Sequence, residues 1–200
     1  MEKQLDYVRI EGGLGGVQDW LKEPMMRLGG CAAVCACDSC LYLARRGYPQ
    51  AYPGAVDRVA RSDYVRFAQV MKPYLRPRWS GIDRTDIYTA GLGRYWADRG
   101  VTGVTMTDMA GGTDPAAALT AVQGAIDGGL PVACLILNHR DPRYADYVWH
   151  WFMLAGYRQP DQVWAVTYGQ GRWLPFPALW RTGYQEKGGL VFYHCAPPAR

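Results

Sequence analysis

The chain has little charge and little histidine. Only 20% of its 200 residues are Asp, Glu, Lys or Arg, and His occurs three times. Its 22 Lys and Arg and 18 Asp and Glu are scattered. No basic block or helix face offers the clustered cations that phosphates need, so nucleic acid is excluded as an expected partner. No apolar run approaches the roughly 18 residues of a membrane helix. The segment MEKQLDYVRIEGG has no apolar stretch of the signal-peptide kind. These absences predict a cytoplasmic protein with no membrane partner. Repeats and low-complexity tracts are missing too. Hydrophobic residues reach 49%, with 8 Trp and 14 Tyr, enough to build the core of one domain spanning 1–200.

Paired cysteine motifs are also absent. Four of the six cysteines, Cys31, Cys35, Cys37 and Cys40, crowd into one stretch that reads as a helix, where neighbouring side chains are poorly placed for disulfide geometry. Reduced thiols are expected. The spacing Cys31-x3-Cys35-x-Cys37-x2-Cys40 matches none of the usual zinc or iron–sulfur patterns. At about 100° per helical residue, Cys31 and Cys35 share a face while Cys37 and Cys40 point elsewhere. Neither a metal nor a cofactor is expected.

Periodicity supplies the elements. Small and apolar residues from Cys31 to Arg46, with Arg45 and Arg46 near the end and Gly47 beyond, predict a central buried helix. A second helix follows, capped by Ser62 and carrying Tyr64, Phe67, Ala68 and Met71 on one face. A third is capped by Thr85 and carries Tyr88, Leu92, Tyr95 and Trp96, ending at Gly100; a fourth opens on Asp114-Pro115 and stops at Gly128-Gly129. Then the pattern changes. PVACLILN, YVWHWFMLAGY, QVWAVTY and LVFYHC are β-branched and aromatic runs, predicting antiparallel strands. Helices first and strands last define an α+β class, with N-terminal helices packed on a C-terminal antiparallel sheet.

Cys31 follows Gly29-Gly30 and begins the first of these helices, where free backbone N–H groups and the helix dipole favour an anion. That placement, with a nearby cation, predicts a thiol that ionises below the ordinary value of about 8.5. The two glycines would let the backbone approach a substrate closely. A cysteine nucleophile needs an imidazole from elsewhere in the fold, and the candidates are His139, His150 and His194. His139 sits in a turn-like NHRDPR segment and His194 beside Cys195, both positions without a catalytic context. His150 lies within a strand, where alternation puts Val148, His150, Phe152 and Leu154 on one face and Trp149, Trp151 and Met153 on the other. An imidazole on an apolar strand face needs a polar partner, catalytic or not.

These residues resemble a family. GGCAAVCACDSCLYLA looks like the nucleophile helix of the bacteriocin-processing (double-glycine) cysteine peptidases and their papain-like relatives. GGLPVACLIL followed by VWHWFMLAGYRQPDQVWAV resembles that family's Gly-x-Pro-Val strand, its His-bearing strand and the next strand of the hairpin. The resemblance covers about residues 15 to 47 and 120 to 180. It implies a papain-like α+β domain acting on a peptide or amide through a thioester on Cys31, with His150 as the base. Gln18 in GGVQDW matches the glutamine that donates to the oxyanion. The family's Asp or Asn after the His strand falls near Thr167, a hydroxyl instead of a carboxylate or amide; Asp161 and Asp146 are close in sequence but fall in turns. That departure keeps open a second reading, a catalytically inactive papain-like module that binds a peptide or protein partner. The sequence sets neither hydrolysis against acyl transfer nor the oligomeric state.

Overall fold

Small side chains allow a helix to lie at the centre of this protein. A computed structural model describes residues 1–79 and 81–196. In helix α2 (Cys31–Arg45) every residue but Arg45 is buried, because Ala32, Ala33, Ala36 and Cys37 let neighbouring elements close on its backbone. The helix leaves through Gly47 at φ 99°, a left-handed conformation that suits glycine. A short helix α1 (Pro24–Gly29) precedes it, joined through Gly30. Helices α3 (Arg61–Met71) and α4 (Thr85–Arg99) bury the stripes expected of them, and α4 stops at the left-handed Gly100.

Their caps differ from expectation. Helix α3 starts at Arg61, one residue before Ser62, with Ala60 at the cap and no side-chain bond. The Thr85 hydroxyl bonds Asp108 Oδ2 at 2.7 Å instead of the helix backbone. Helix α5 (Pro115–Asp127) begins as read: Asp114 Oδ1 accepts the N–H groups of Ala116 and Ala117, and Pro115 takes the first helical position.

Strands β5 (Val132–Ile136), β6 (His150–Arg158), β7 (Gln162–Thr167), β8 (Gln170–Pro175) and β9 (Gly188–Cys195) form an antiparallel sheet with two strands from earlier in the chain, β1 (Glu2–Gln4) and β4 (Val104–Ala110). The order is β4-β9-β5-β6-β7-β8, and β1 extends the β6 edge beyond β5 through Glu2↔Arg158 and Gln4↔Gly156. A separate hairpin joins β2 (Arg9–Ile10) and β3 (Gly13–Leu14). Helices first and strands last therefore holds only in part. The α+β class with an antiparallel sheet is observed, but β1 and β4 come before the helix α5. Strand β4 fixes itself along β9 from Val104↔Cys195 to Ala110↔Gly189 as an edge strand whose side chains are mostly outside the core.

Both faces of the sheet are covered. Alternation along β6 sends Trp151, Met153 and Ala155 to the core with α2, α3 and α4, and Phe152 and Leu154 to the core with α5 and the short helix α6 (Phe176–Trp180); a register shift between Leu154 and Tyr157 then puts Tyr157 in that second core as well. The alternation read from sequence holds from Trp151 to Leu154. Trp149 departs from it: the strand starts at His150, and Trp149 turns outward at φ 52°.

Candidate functional site

Three segments converge at one end of α2. The first is the helix start, which holds Cys31. The second is the adjoining ends of β6 and β7, which hold His150 and Thr167. The third is the Gly15–Gln18 loop that follows β3. Together Gln18, Cys31, His150 and Thr167 line one small cavity, which Gly16, Asp38, Trp151 and Tyr168 also border. Its free space is about 20 Å³, room for a single water. All four residues singled out from the sequence are therefore brought together.

The pair on the sheet is tight. His150 Nε2 lies 2.6 Å from Thr167 Oγ1. When Nε2 carries the proton it donates to the hydroxyl, and the lone pair then sits on Nδ1. Asp161 does not take this role; its carbonyl accepts the N–H of Phe176. Asp146 acts only at a distance, weakly favouring a charged His150. Among the described residues, no hydrogen bond joins the Cys31 thiol to the His150 ring.

Burial dominates the electrostatics. It pushes His150 down to about 4, so the imidazole is neutral at physiological pH. Burial also pushes the Cys31 thiol up, although the backbone N–H groups of Trp151, Ala32 and Cys31 pull the other way. The sequence expectation of a thiol ionised below 8.5 is thus reversed: the helix N-terminus is present, but desolvation outweighs it. At physiological pH both groups are neutral, a thiol and an imidazole, and not an ion pair. Burial pushes Cys35, Cys37 and Cys40 up as well, which marks them as inert core thiols. All six cysteines are free.

Gln18 opens a short 3-10 turn (Gln18–Trp20), and its Nε2 donates to the Arg27 carbonyl at 2.7 Å. An amide nitrogen carries two protons, so this anchor leaves one free to donate. Gly29 and Gly30 also have a packing role. A Cβ on Gly29 would lie 2.7 Å from the Arg78 carbonyl oxygen, and one on Gly30 would lie 2.3 Å from that of Met26. Their lack of a side chain lets α1, α2 and the loop at Arg78 close together.

The sequence reading missed Tyr168. Its ring stacks on His150 with centroids 4.7 Å apart and planes 3° from parallel, and its hydroxyl bonds the Asp146 carbonyl at 3.0 Å. Tyr168 and Gly169 turn the β7–β8 hairpin with φ 52° and 75°. That geometry is usual for Asn-Gly, and a tyrosine there is strained. The signal was present as a turn with an unusual first residue. Trp149, at the other strand end, is strained in the same sense and exposed. It lines an open cleft of about 490 Å³ bordered by Asp108, Gly111 and Glu186.

The other histidines have structural partners, as expected. His139 lies 3.0 Å from the Ala178 carbonyl oxygen through Nε2, and its Nδ1 accepts the N–H of Asp141. His194 Nε2 lies 2.7 Å from Thr107 Oγ1 on the β4–β9 edge. No family model matches the chain, and no curated protein matches it. No helix among the described residues is long and apolar enough to cross a membrane.

Proposed function

We propose that this protein is a papain-like cysteine hydrolase or acyl transferase that cleaves a peptide or amide through a thioester on Cys31. The observation that carries the reading is the 2.6 Å contact of His150 Nε2 with Thr167 in the cavity that holds Cys31 and Gln18; with the proton on Nε2, donated to the hydroxyl, Nδ1 is the base. In this mechanism the Cys31 proton moves to His150 Nδ1 as the sulfur bonds to the substrate carbonyl carbon. The developing oxyanion takes hydrogen bonds from the free Gln18 N–H and the Cys31 backbone N–H. Collapse breaks the C–N bond, and His150 returns the proton to the leaving amine. Water or an amine then attacks the thioester, with His150 again as base, and the thiol is restored. Thr167 keeps the imidazole in the productive tautomer. It does so without the charge that an Asp would add to stabilise imidazolium.

Thr167 in place of a carboxylate, together with a His150 held near 4, also supports the second reading, an inactive papain-like module that binds a peptide. An activated ester separates the two. The protein is mixed with p-nitrophenyl acetate at pH 7, quenched in acid and digested, and acetylation is read by mass spectrometry. The enzyme reading expects the acetyl group on Cys31 well ahead of Cys195, the half-buried thiol. Acetylation of Cys195 alone, or of neither, leaves the binding module.

A further inference from the structure

We propose that Asp38 is a positioning residue for the oxyanion donor: it clamps the Gly15–Gln18 loop onto the Cys31 helix, an inference that rests on the acyl-transfer reading above. Asp38 lies two helical turns beyond Cys31 on the face shared with Cys35, and it borders the same cavity. Three donors converge on its carboxylate. The Gly16 N–H donates at 2.9 Å and the Tyr64 hydroxyl at 2.8 Å, both to Oδ1; the Tyr7 hydroxyl donates to Oδ2 at 3.1 Å. Among the described residues Asp38 has no ion-pair partner. The groups facing it are Tyr7 from the N-terminal segment, Tyr64 from α3 and Cys35 and Cys37 on its own helix, all neutral at physiological pH.

A carboxylate buried with no cation opposes folding, so packing alone gives no reason for one here. Its place in the molecule does. Gly16, the backbone group it holds, is two residues before Gln18, and the loop is shaped to reach it. Gly15 has φ 67°, and a Cβ there would lie 2.2 Å from Asp38 Oδ2; a Cβ on Gly16 would lie 2.0 Å from Tyr64 Cζ. Only bare backbone can seat this closely on the acid and the phenol. At its far end the loop is tied by Gln18 Nε2 to the Arg27 carbonyl, just upstream of Cys31. The Gln18 amide is thus referenced twice to the nucleophile, once through Asp38 and once through α1. An oxyanion donor works only when held to within a fraction of an ångström of the developing charge. Asp38 fixes the end of the loop that glycine would otherwise leave free.

Two reactions of the same thiol isolate this role. Acylation of Cys31 by p-nitrophenyl acetate passes through a tetrahedral oxyanion: the thiol proton goes to His150, the S–C bond forms, and the C–O bond to p-nitrophenolate breaks. Alkylation by iodoacetamide is a direct displacement of iodide and develops no oxyanion. Asp38→Asn is expected to lower the acylation rate about tenfold and leave alkylation within about twofold. In a Gln18→Ala background it is expected to add nothing further. Tyr7→Phe removes one donor and keeps the carboxylate; it is expected to shift the ratio the same way by about threefold, and it decides the matter if Asp38→Asn fails to fold. Equal loss in both reactions, an unchanged ratio, or additivity with Gln18→Ala would overturn the proposal. A wild-type Cys31 that is not acylated overturns the acyl-transfer reading and this one together, whereas slow acylation in Gln18→Ala with normal acylation in Asp38→Asn overturns this one alone.

Discussion

The two faces of the sheet are built from different chemistry. Against α5, the aliphatic groups of Leu119, Val122 and Ile126 meet Phe152, Leu154 and Phe176. Against α2, a comparable apolar core also holds Asp38 with Tyr7 and Tyr64, and Ser39 Oγ 2.7 Å from the Tyr193 hydroxyl, itself 2.9 Å from that of Tyr88. The α5 face holds the sheet together by area buried. The α2 face adds hydrogen bonds whose geometry is fixed but whose net contribution to stability is small, because each polar group was satisfied in water before folding. Such groups set positions, and here the positions belong to Cys31, Gln18 and their loop. Under the proposed mechanism stability and chemistry are therefore separable, and substitutions on the two faces should give opposite signatures.

The largest effect is expected at the sheet end of the site. His150→Ala should lower p-nitrophenyl acetate acylation of Cys31 at pH 7 by about 10²- to 10⁴-fold, the usual share of a general base, while urea unfolding moves little. A midpoint that collapses along with the rate would make His150 a core residue and blur the contrast between the faces. On the α5 face, Ile126→Ala should destabilise by about 2 to 5 kcal/mol in urea and leave the ratio of acylation to alkylation unchanged at temperatures where the protein is folded. A shifted ratio would show the faces to be coupled. Thr167→Val keeps the shape but removes the tautomer-fixing hydroxyl; it should slow acylation by about three- to tenfold, in line with one neutral hydrogen bond. No change would mean that the 2.6 Å contact orients nothing.

The last contrast is a pH slope in stability. Burial raises Asp38 from 3.8 to about 6, against the hydrogen bonds of Tyr64, Gly16 and Tyr7. The folded state therefore binds this proton more tightly than the unfolded chain does, and Asp38 withdraws stability as pH rises from about 4 to 6. His150 works in reverse. Lowered from 6.5 to about 4, it adds stability as pH rises across nearly the same interval. Asp38→Asn removes only the first contribution, so its melting temperature should gain on wild type between pH 4 and 6 and hold that gain above 6. A pH-independent difference would show that the carboxylate is not strained by burial.

Much of this was legible in the sequence where a local pattern is dictated by one surface. The buried stripes of α3 and α4, the Asp114-Pro115 start of α5 and the alternation along β6 each answer to a single neighbouring core. Cys31 is visible because the Gly29-Gly30 helix start is local punctuation, His150 because it is one of three histidines and lies in a strand-like run, and Gln18 and Thr167 only through the resemblance to a family. What stayed hidden depends on contacts between distant segments. Strand β4 is defined by pairing with β9 and carries few core residues of its own, while Asp38 reads as a stray acid in an apolar helix until Tyr7, Gly16 and Tyr64 arrive from three other segments. The ionisation of Cys31 was misread for a related reason. A helix N-terminus is local and visible in sequence, but the degree of burial that outweighs it belongs to the whole fold.

Under the proposed mechanism Cys31 and His150 exchange a proton as a neutral pair, and the pH profile of Cys31 acylation reports that exchange. Acetylation of Cys31 by p-nitrophenyl acetate is followed by mass spectrometry from pH 3.5 to 9 in the wild type and in His150→Ala. The wild-type rate is expected to fall on the acid side with a midpoint near 4, where His150 takes up its proton, and to stay nearly level to about pH 8, while the variant climbs about tenfold per pH unit with the thiolate fraction. A wild-type profile that climbs in parallel with the variant throughout would show that His150 takes no proton from Cys31.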